Sequence, residues 1–326
     1  MLSGLKNLFT PAPDPYADPK APIPLGEVLK RNWFELWYQP KIELRSMRLV
    51  GAEALVRARH PTRGIVAPFF FLLNAGEEDL HKLTEQVILT ALGDWEDFAQ
   101  YGVPMKLAVN VPVSAFVKLP IPRMLREARP RAENWPGMVL EVTEDQIIND
   151  LNLANEVAGA LRELNCNLAL DDFGAGYSSL ARLKQLPFSE LKIDRSYVMN
   201  CDQDQLNAGL CETIVELGRR FGLKTVAEGI ETIHESHKLQ GIGCHVGQGY
   251  LFAKPMPKVQ LIGLIRKRMM GAGAATPQRG RGLGFALAPP ASVTGTARWK
   301  SASRRSSAKS SASASWSASW RRRWRS

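Results

Sequence analysis

Leu168-Ala169-Leu170-Asp171-Asp172 and Leu191-Lys192-Ile193-Asp194 decide the fold. Each is a short apolar run that closes on a carboxylate, and the pattern recurs along the chain. Residues 106–109 run into Asn110, residues 138–140 run into Glu141 with Glu144 just beyond, and residues 225–227 run into Glu228. Glu53 sits inside another such run, Leu49–Arg57. With Phe34–Gln39 and Gly249–Phe252 these make eight strand candidates. Amphipathic helical periodicity fills most of the gaps, most clearly over Glu77–Ala99, Asn152–Leu164, Asp204–Phe221 and Thr232–Leu239. Eight strands alternating with helices over about 245 residues predict a (β/α)8 barrel; a doubly wound open sheet is the alternative.

In a barrel the strand ends converge on one face, where barrel enzymes keep their chemistry. One carboxylate after a strand is usually a helix cap. Six in series are different, because gathering them costs several kcal/mol in repulsion and desolvation unless cations join them. The donors are all oxygens, which favours Mg²⁺ or Mn²⁺ over Zn²⁺. Adjacent Asp171 and Asp172 suit two ions, one carboxylate bridging while its neighbour serves the second. Two such ions about 3.5–4 Å apart point to hydrolysis of a phosphate ester. Strand alternation puts Lys192 on the face of Asp194, so Lys192 is read as an inward cation that holds the attacking water or neutralises phosphate.

Outside this pattern the chain says less. It carries 42 Lys+Arg against 32 Asp+Glu, a formal net charge of +10. Residues 271–326 hold 11 basic residues and no acidic one, leaving −1 for residues 1–270. The chain therefore divides into a Pro-rich leader over 1–24, a barrel over 25–270 and a disordered Arg/Ser/Ala/Trp tail over 271–326. Arg interleaved with Trp suits a nucleic-acid or anionic-membrane anchor. The abrupt shift in composition favours instead a solvated or spurious extension. Cys166, Cys201, Cys211 and Cys244 lack CxxC spacing and are expected as free thiols in a reducing cytoplasm. No apolar run reaches the length of a membrane span. His234 and His237, spaced i, i+3, are read as an exposed helix face.

Glu53-Ala54-Leu55 is followed by Val56-Arg57, with Tyr38-Gln39-Pro40 upstream and His60-Pro61 downstream. At the level of such motifs the chain resembles the EAL-domain cyclic-di-GMP phosphodiesterases, which take their name from that triplet. The most specific block runs from Leu170 through Asp171-Asp172-Phe173-Gly174 to Leu180 and on to Lys192-Ile193-Asp194. Residues 226–232 and Gln248 to Phe252 complete the set, in family order over about residues 30–260. The resemblance implies a TIM-like barrel with an antiparallel first strand and an enzyme that opens cyclic di-GMP to linear 5'-pGpG. It implies Glu53, Asn110, Glu141 and Asp171 as ligands of a first ion, with Asp171 bridging to a second held by Asp172 and Glu228. It implies Lys192 and Asp194 at the nucleophilic water, Gln248 in the same network, Glu144 positioning the loop after Asp172, and Gln39 and Arg57 on the substrate.

Three positions depart from the family pattern and are expected to bear on the pocket: Ala58 in place of Trp, Gly76 in an Ala-Glu-Glu segment, and His245 in place of Asp. The alternative to an enzyme is a cyclic-di-GMP receptor or protein-interaction module that does not cleave. A homodimer is expected, and a signalling partner stays open. With no GGDEF block and a leader short for a sensor, regulation is expected from dimerisation, a partner, expression or the termini.

Overall fold

The computed structural model describes residue 18 and residues 20–102, 105–143, 151–174 and 187–272. Most of the Pro-rich leader, nearly all of the basic tail, Glu144 and the segment after Gly174 lie outside the described residues. The chain starts with α1 (Leu25–Lys30), then β1 (Phe34–Glu43), β2 (Arg48–His60) and β3 (Gly64–Val66). Next come α2 (Phe69–Leu72), α3 (Glu77–Ala99), β4 (Lys106–Asn110), α4 (Val113–Lys118), α5 (Ile121–Ala128) and β5 (Met138–Thr143). Then follow α6 (Leu151–Arg162), β6 (Asn167–Phe173), β7 (Phe188–Ile193), α7 (Arg195–Val198), α8 (Gln205–Phe221) and β8 (Lys224–Ala227). The last are α9 (Ile233–Gly241), β9 (Val246–Gly247), β10 (Met256–Pro257) and α10 (Lys258–Ala272).

Among the described residues, eight strands close into a ring in the order β1, β2, β4, β5, β6, β7, β8, β9 and back to β1. Neighbours from β2 through β4 to β9 run parallel, whereas β1 is antiparallel to both β2 and β9. The reason is local: four residues join β1 to β2, and a parallel crossover needs a dozen or more. β3 and β10 extend the sheet on β2 and β1.

Alternation along each strand sorts the side chains. Leu107, Val109, Met138, Leu140, Val142 and Leu168 face outward into the layer between sheet and helices. There they meet one stripe of α3, including Val87, Ile88, Leu92, Trp95 and Phe98. Leu170, Leu191 and Ile193 do the same against α8. Midway along the inward face of the ring, β4, β5 and β6 carry the compact residues Ala108, Val139 and Ala169, a separate buried cluster. Two residues further along, the same face carries Asn110, Glu141 and Asp171.

One expected strand is displaced. Residues 249–252 form a turn, with Phe252 N–H donating to Gly249 O at 3.1 Å, and the eighth strand lies earlier, at β9. Apolar character there reflects packing of Leu251 and Phe252 against the α8 side of the core, not a strand. A side chain at Gly249 would collide with the Ile230 backbone, so the turn needs glycine.

Candidate active site at the barrel mouth

Residues at or just past the ends of the parallel strands β4 to β9, with Glu53 from within β2, supply the site. Glu53, Glu141, Asp171, Asp172, Asp194 and Glu228 are all buried, as are Lys41, Lys192, Gln39 and Gln248. Six carboxylates thus face two ammonium groups inside one barrel end.

Lys192 stands at the centre and is fully buried. Its Nζ lies 2.6 Å from Glu141 Oε2, 2.5 Å from Glu228 Oε1, 3.0 Å from Asp171 Oδ1 and 3.8 Å from Glu53 Oε2. Burial alone would lower its pKa, but the Glu141, Glu228 and Glu53 carboxylates outweigh that and hold it well above the usual lysine range. Without a bound cation its carboxylate neighbours therefore favour the ammonium form.

Adjacent residues on a regular strand point to opposite faces, so Asp171 and Asp172 should not share the mouth. The register resolves this. Leu170 pairs with Leu191 and Phe173 with Ile193, so two aspartates oppose the single residue Lys192. Asp172 takes φ +54°, in the left-handed region that a non-glycine residue enters at a cost of order 1–3 kcal/mol. The bulge groups Asp172 with Asp171 and Glu228, whose oxygens lie within 4.8 Å of one another. Burial, then the Asp194 charge, pushes the Asp172 carboxyl up to about 7. Burial likewise raises Glu228 to about 8, against the pull of Lys192.

Smaller contacts complete the frame. Asn110 Nδ2 donates to Glu53 Oε1 at 2.8 Å, and Gln248 Nε2 donates to Glu53 Oε2 at 2.6 Å and Gln39 Oε1 at 2.9 Å. Gln39 Nε2 donates to Ala253 O at 3.1 Å. Asp194 caps α7, its Oδ1 accepting from Ser196 N at 2.9 Å and from the Ser196 hydroxyl. Arg57 lies across the Trp37 ring at 5.7 Å and donates to Val56 O. Above these groups opens a cleft of about 420 Å³, lined by Gln39, Glu53, Arg57, Asp172, Asp194, Glu228 and Gln248 together with Met199, Tyr250 and Pro68. Its size suits a small-molecule ligand.

The structure thus brings together every sequence-derived site residue except Glu144, which lies outside the described residues. It adds Lys41, which sequence reading passed over: Lys41 Nζ lies 2.6 Å from Glu141 Oε1. The signal was present, since Lys41 follows Gln39 by two and shares its face of β1, as Lys192 shares a face with Asp194.

The three departures from the family pattern fall outside the cleft lining. Ala58 points outward with Ala54 and Val56 into the core. Gly76 is the exposed N-cap of α3. His245 precedes β9 at the opposite end of the barrel, its Nδ1 within 2.9 Å of Thr225 Oγ1.

The residues fit divalent cations. The donors are oxygens, the carboxylates outnumber the ammonium groups, and two buried oxygens, Asp172 Oδ2 and Gln248 Oε1, have no hydrogen-bond partner among the described residues. Such oxygens await an ion or a water.

Comparison with known proteins gives concordant matches. A family profile described as EAL domain matches residues 25–255. The chain is 37% identical over 232 residues to the cyclic di-GMP phosphodiesterase RocR of Pseudomonas aeruginosa, covering 71% of this chain and 59% of RocR. It therefore spans less than two thirds of that relative's length. The solved PaMucR phosphodiesterase in complex with c-di-GMP superposes with a TM-score of 0.66 at 35% identity, covering 73% of this chain and 97% of that one. The Klebsiella pneumoniae BlrP1 manganese/cyclic-di-GMP complex superposes with a TM-score of 0.59 at 27% identity, covering 69% and 56%.

Proposed function

The chain belongs to the EAL-domain family, and from that premise we propose that it is a metal-dependent phosphodiesterase that opens cyclic di-GMP to linear 5'-pGpG. The observation that carries this reading is the β6 bulge, which turns Asp171 and Asp172 together into a mouth already holding four other carboxylates. Glu53, Asn110, Glu141 and Asp171 would hold one ion, and Asp171, Asp172 and Glu228 a second. Mg²⁺ or Mn²⁺ bound there supplies an acidified water and a Lewis acid for phosphoryl oxygens.

The protein's own groups do the rest. Lys192, locked as a cation, orients an attacking oxygen by donating to it and offsets phosphate charge. Asp194 is held by the α7 turn and lines the cleft, where its charge acts on Asp172. Gln248 presents its free Oε1 to a water while its amide fixes Glu53. Arg57 and Gln39 flank the cleft entrance, where a guanidinium and a carboxamide suit a phosphate and a purine edge. Burial raises both Asp172 and Glu228, so a cation binding there competes with protons.

The test is hydrolysis of cyclic di-GMP by the purified full chain with Mg²⁺ and with Mn²⁺, read by chromatographic appearance of pGpG. Turnover that requires either ion supports the reading. Tight nucleotide binding with no turnover under both conditions would make the chain a receptor instead.

A further inference from the structure

We propose that Lys41 is a positioning residue of this site, acting through Glu141. The inference rests on the phosphodiesterase reading only for its kinetic consequence. Glu141 is almost fully buried, and its two oxygens are taken by two different ammonium groups: Oε1 by Lys41 at 2.6 Å and Oε2 by Lys192 at 2.6 Å. Lys192 comes from β7 at the mouth itself. Lys41 comes from β1, the strand that runs against the others, and enters from deeper in the barrel, since its partner Gly51 lies two residues below the partner of Gln39, Glu53. Around it the inward positions of β4 and β6 carry only Ala108 and Ala169, which fill little of the interior.

The geometry has a direct consequence. A glutamate held at only one oxygen can swing about its last torsion and present either oxygen to a cation. With Oε1 anchored below, Glu141 keeps Oε2 toward the mouth and would offer an ion that oxygen. Lys41 also supplies the second buried positive charge that keeps six carboxylates tolerable. These two roles predict opposite signs. Removing a mere neutralising charge strengthens cation binding, whereas removing an anchor weakens it. The 2.6 Å contact and the near-complete burial of both partners assign the anchor.

The experiment compares Lys41→Met, Lys41→Gln, Glu141→Gln and the Lys41→Met/Glu141→Gln double variant in the full chain. Mn²⁺ affinity of metal-free protein is measured by calorimetry, and kcat and KM are measured separately. Lys41→Met is expected to weaken Mn²⁺ binding about tenfold and to lower kcat about 10–100-fold, with KM within about twofold. Lys41→Gln, which keeps a donor without the charge, is expected to lose less, and it carries the test if the Met variant fails to fold. In the Glu141→Gln background Lys41→Met should change neither quantity by more than about twofold. Tighter Mn²⁺ binding by Lys41→Met, or an equal loss in both backgrounds, would overturn the proposal. Because Mn²⁺ affinity is read without turnover, absence of phosphodiesterase activity would sink the functional reading and leave this one decidable.

Discussion

Two lysines inside the same barrel are driven in opposite directions. Lys106 lies on the inward face of β4 at the end where the parallel strands begin, and burial lowers its pKa, with Lys224 adding to the depression and Glu190 opposing it. Lys192 is more deeply buried, yet Glu141, Glu228 and Glu53 hold it well above the ordinary range. Burial penalises both cations, so burial does not decide; the number of carboxylates within reach does. The barrel is thus polarised along its axis. Its floor balances a few half-buried charges, whereas its mouth carries an excess of anions that only protons or metal ions can relieve.

The largest expected effect tests the mouth directly. Asp171→Asn removes a carboxylate assigned to both proposed ion sites, and on that proposal kcat for cyclic di-GMP should fall at least about a thousandfold in the same hydrolysis assay. A fall of under tenfold would mean that the bulge does not serve the chemistry.

Lys192→Met against Lys106→Met sets mouth against floor. Without metal, Lys192→Met leaves buried carboxylates uncompensated and should cost about 3–5 kcal/mol of unfolding free energy, whereas Lys106→Met should cost about 1 kcal/mol or less. Urea denaturation of both variants checks this, and equal costs would erase the polarity. Added Mn²⁺ should recover part of the Lys192→Met loss and none of the other.

pH sharpens the same contrast. Asp172 is raised to about 7 and Glu228 to about 8, so between about pH 4 and 8 the folded metal-free protein binds more protons than the unfolded chain. Its stability should therefore fall as pH rises through that window, by up to about 4 kcal/mol for Asp172. Denaturation at pH 5 and pH 8 measures the slope, and saturating Mn²⁺ should flatten it.

The smallest effect on activity is expected from Ala58→Trp. Ala58 is fully buried and points away from the cleft. Overpacking should cost about 1–3 kcal/mol of stability while KM moves by less than about twofold. A large change in KM would place position 58 in the substrate pocket after all.

Much of the barrel was legible because strands and helices announce themselves by period. Glu77–Ala99 is recovered to the residue, since one apolar stripe carries it from the first turn to Phe98. The run over residues 225–227 is recovered as well, within β8. Where the period is too short the reading slips: β9 has only two residues, and the apolar turn after it took its place. Lys41 was overlooked for a different reason. A lysine in a strand is ordinarily a surface residue, and nothing near it in the chain shows that its partner is 100 residues away.

The strand-end acids, their order and the oxygen-only donor set follow from sequence alone, because strand alternation and barrel convergence are properties of short segments. The family motifs add the names of the residues. Three things belong to the tertiary structure. The bulge at Asp171-Asp172 exists because β6 must pair with β7 on one side while opposing two aspartates to one lysine. The antiparallel β1 brings Gln39 to the cleft and Lys41 beneath it, into a mouth built by other strands. The outward turn of Ala58 separates a departure in motif from a departure in function. Each depends on which strand closes against which, and closure joins residues such as Glu53 and Gln248, which lie 195 positions apart.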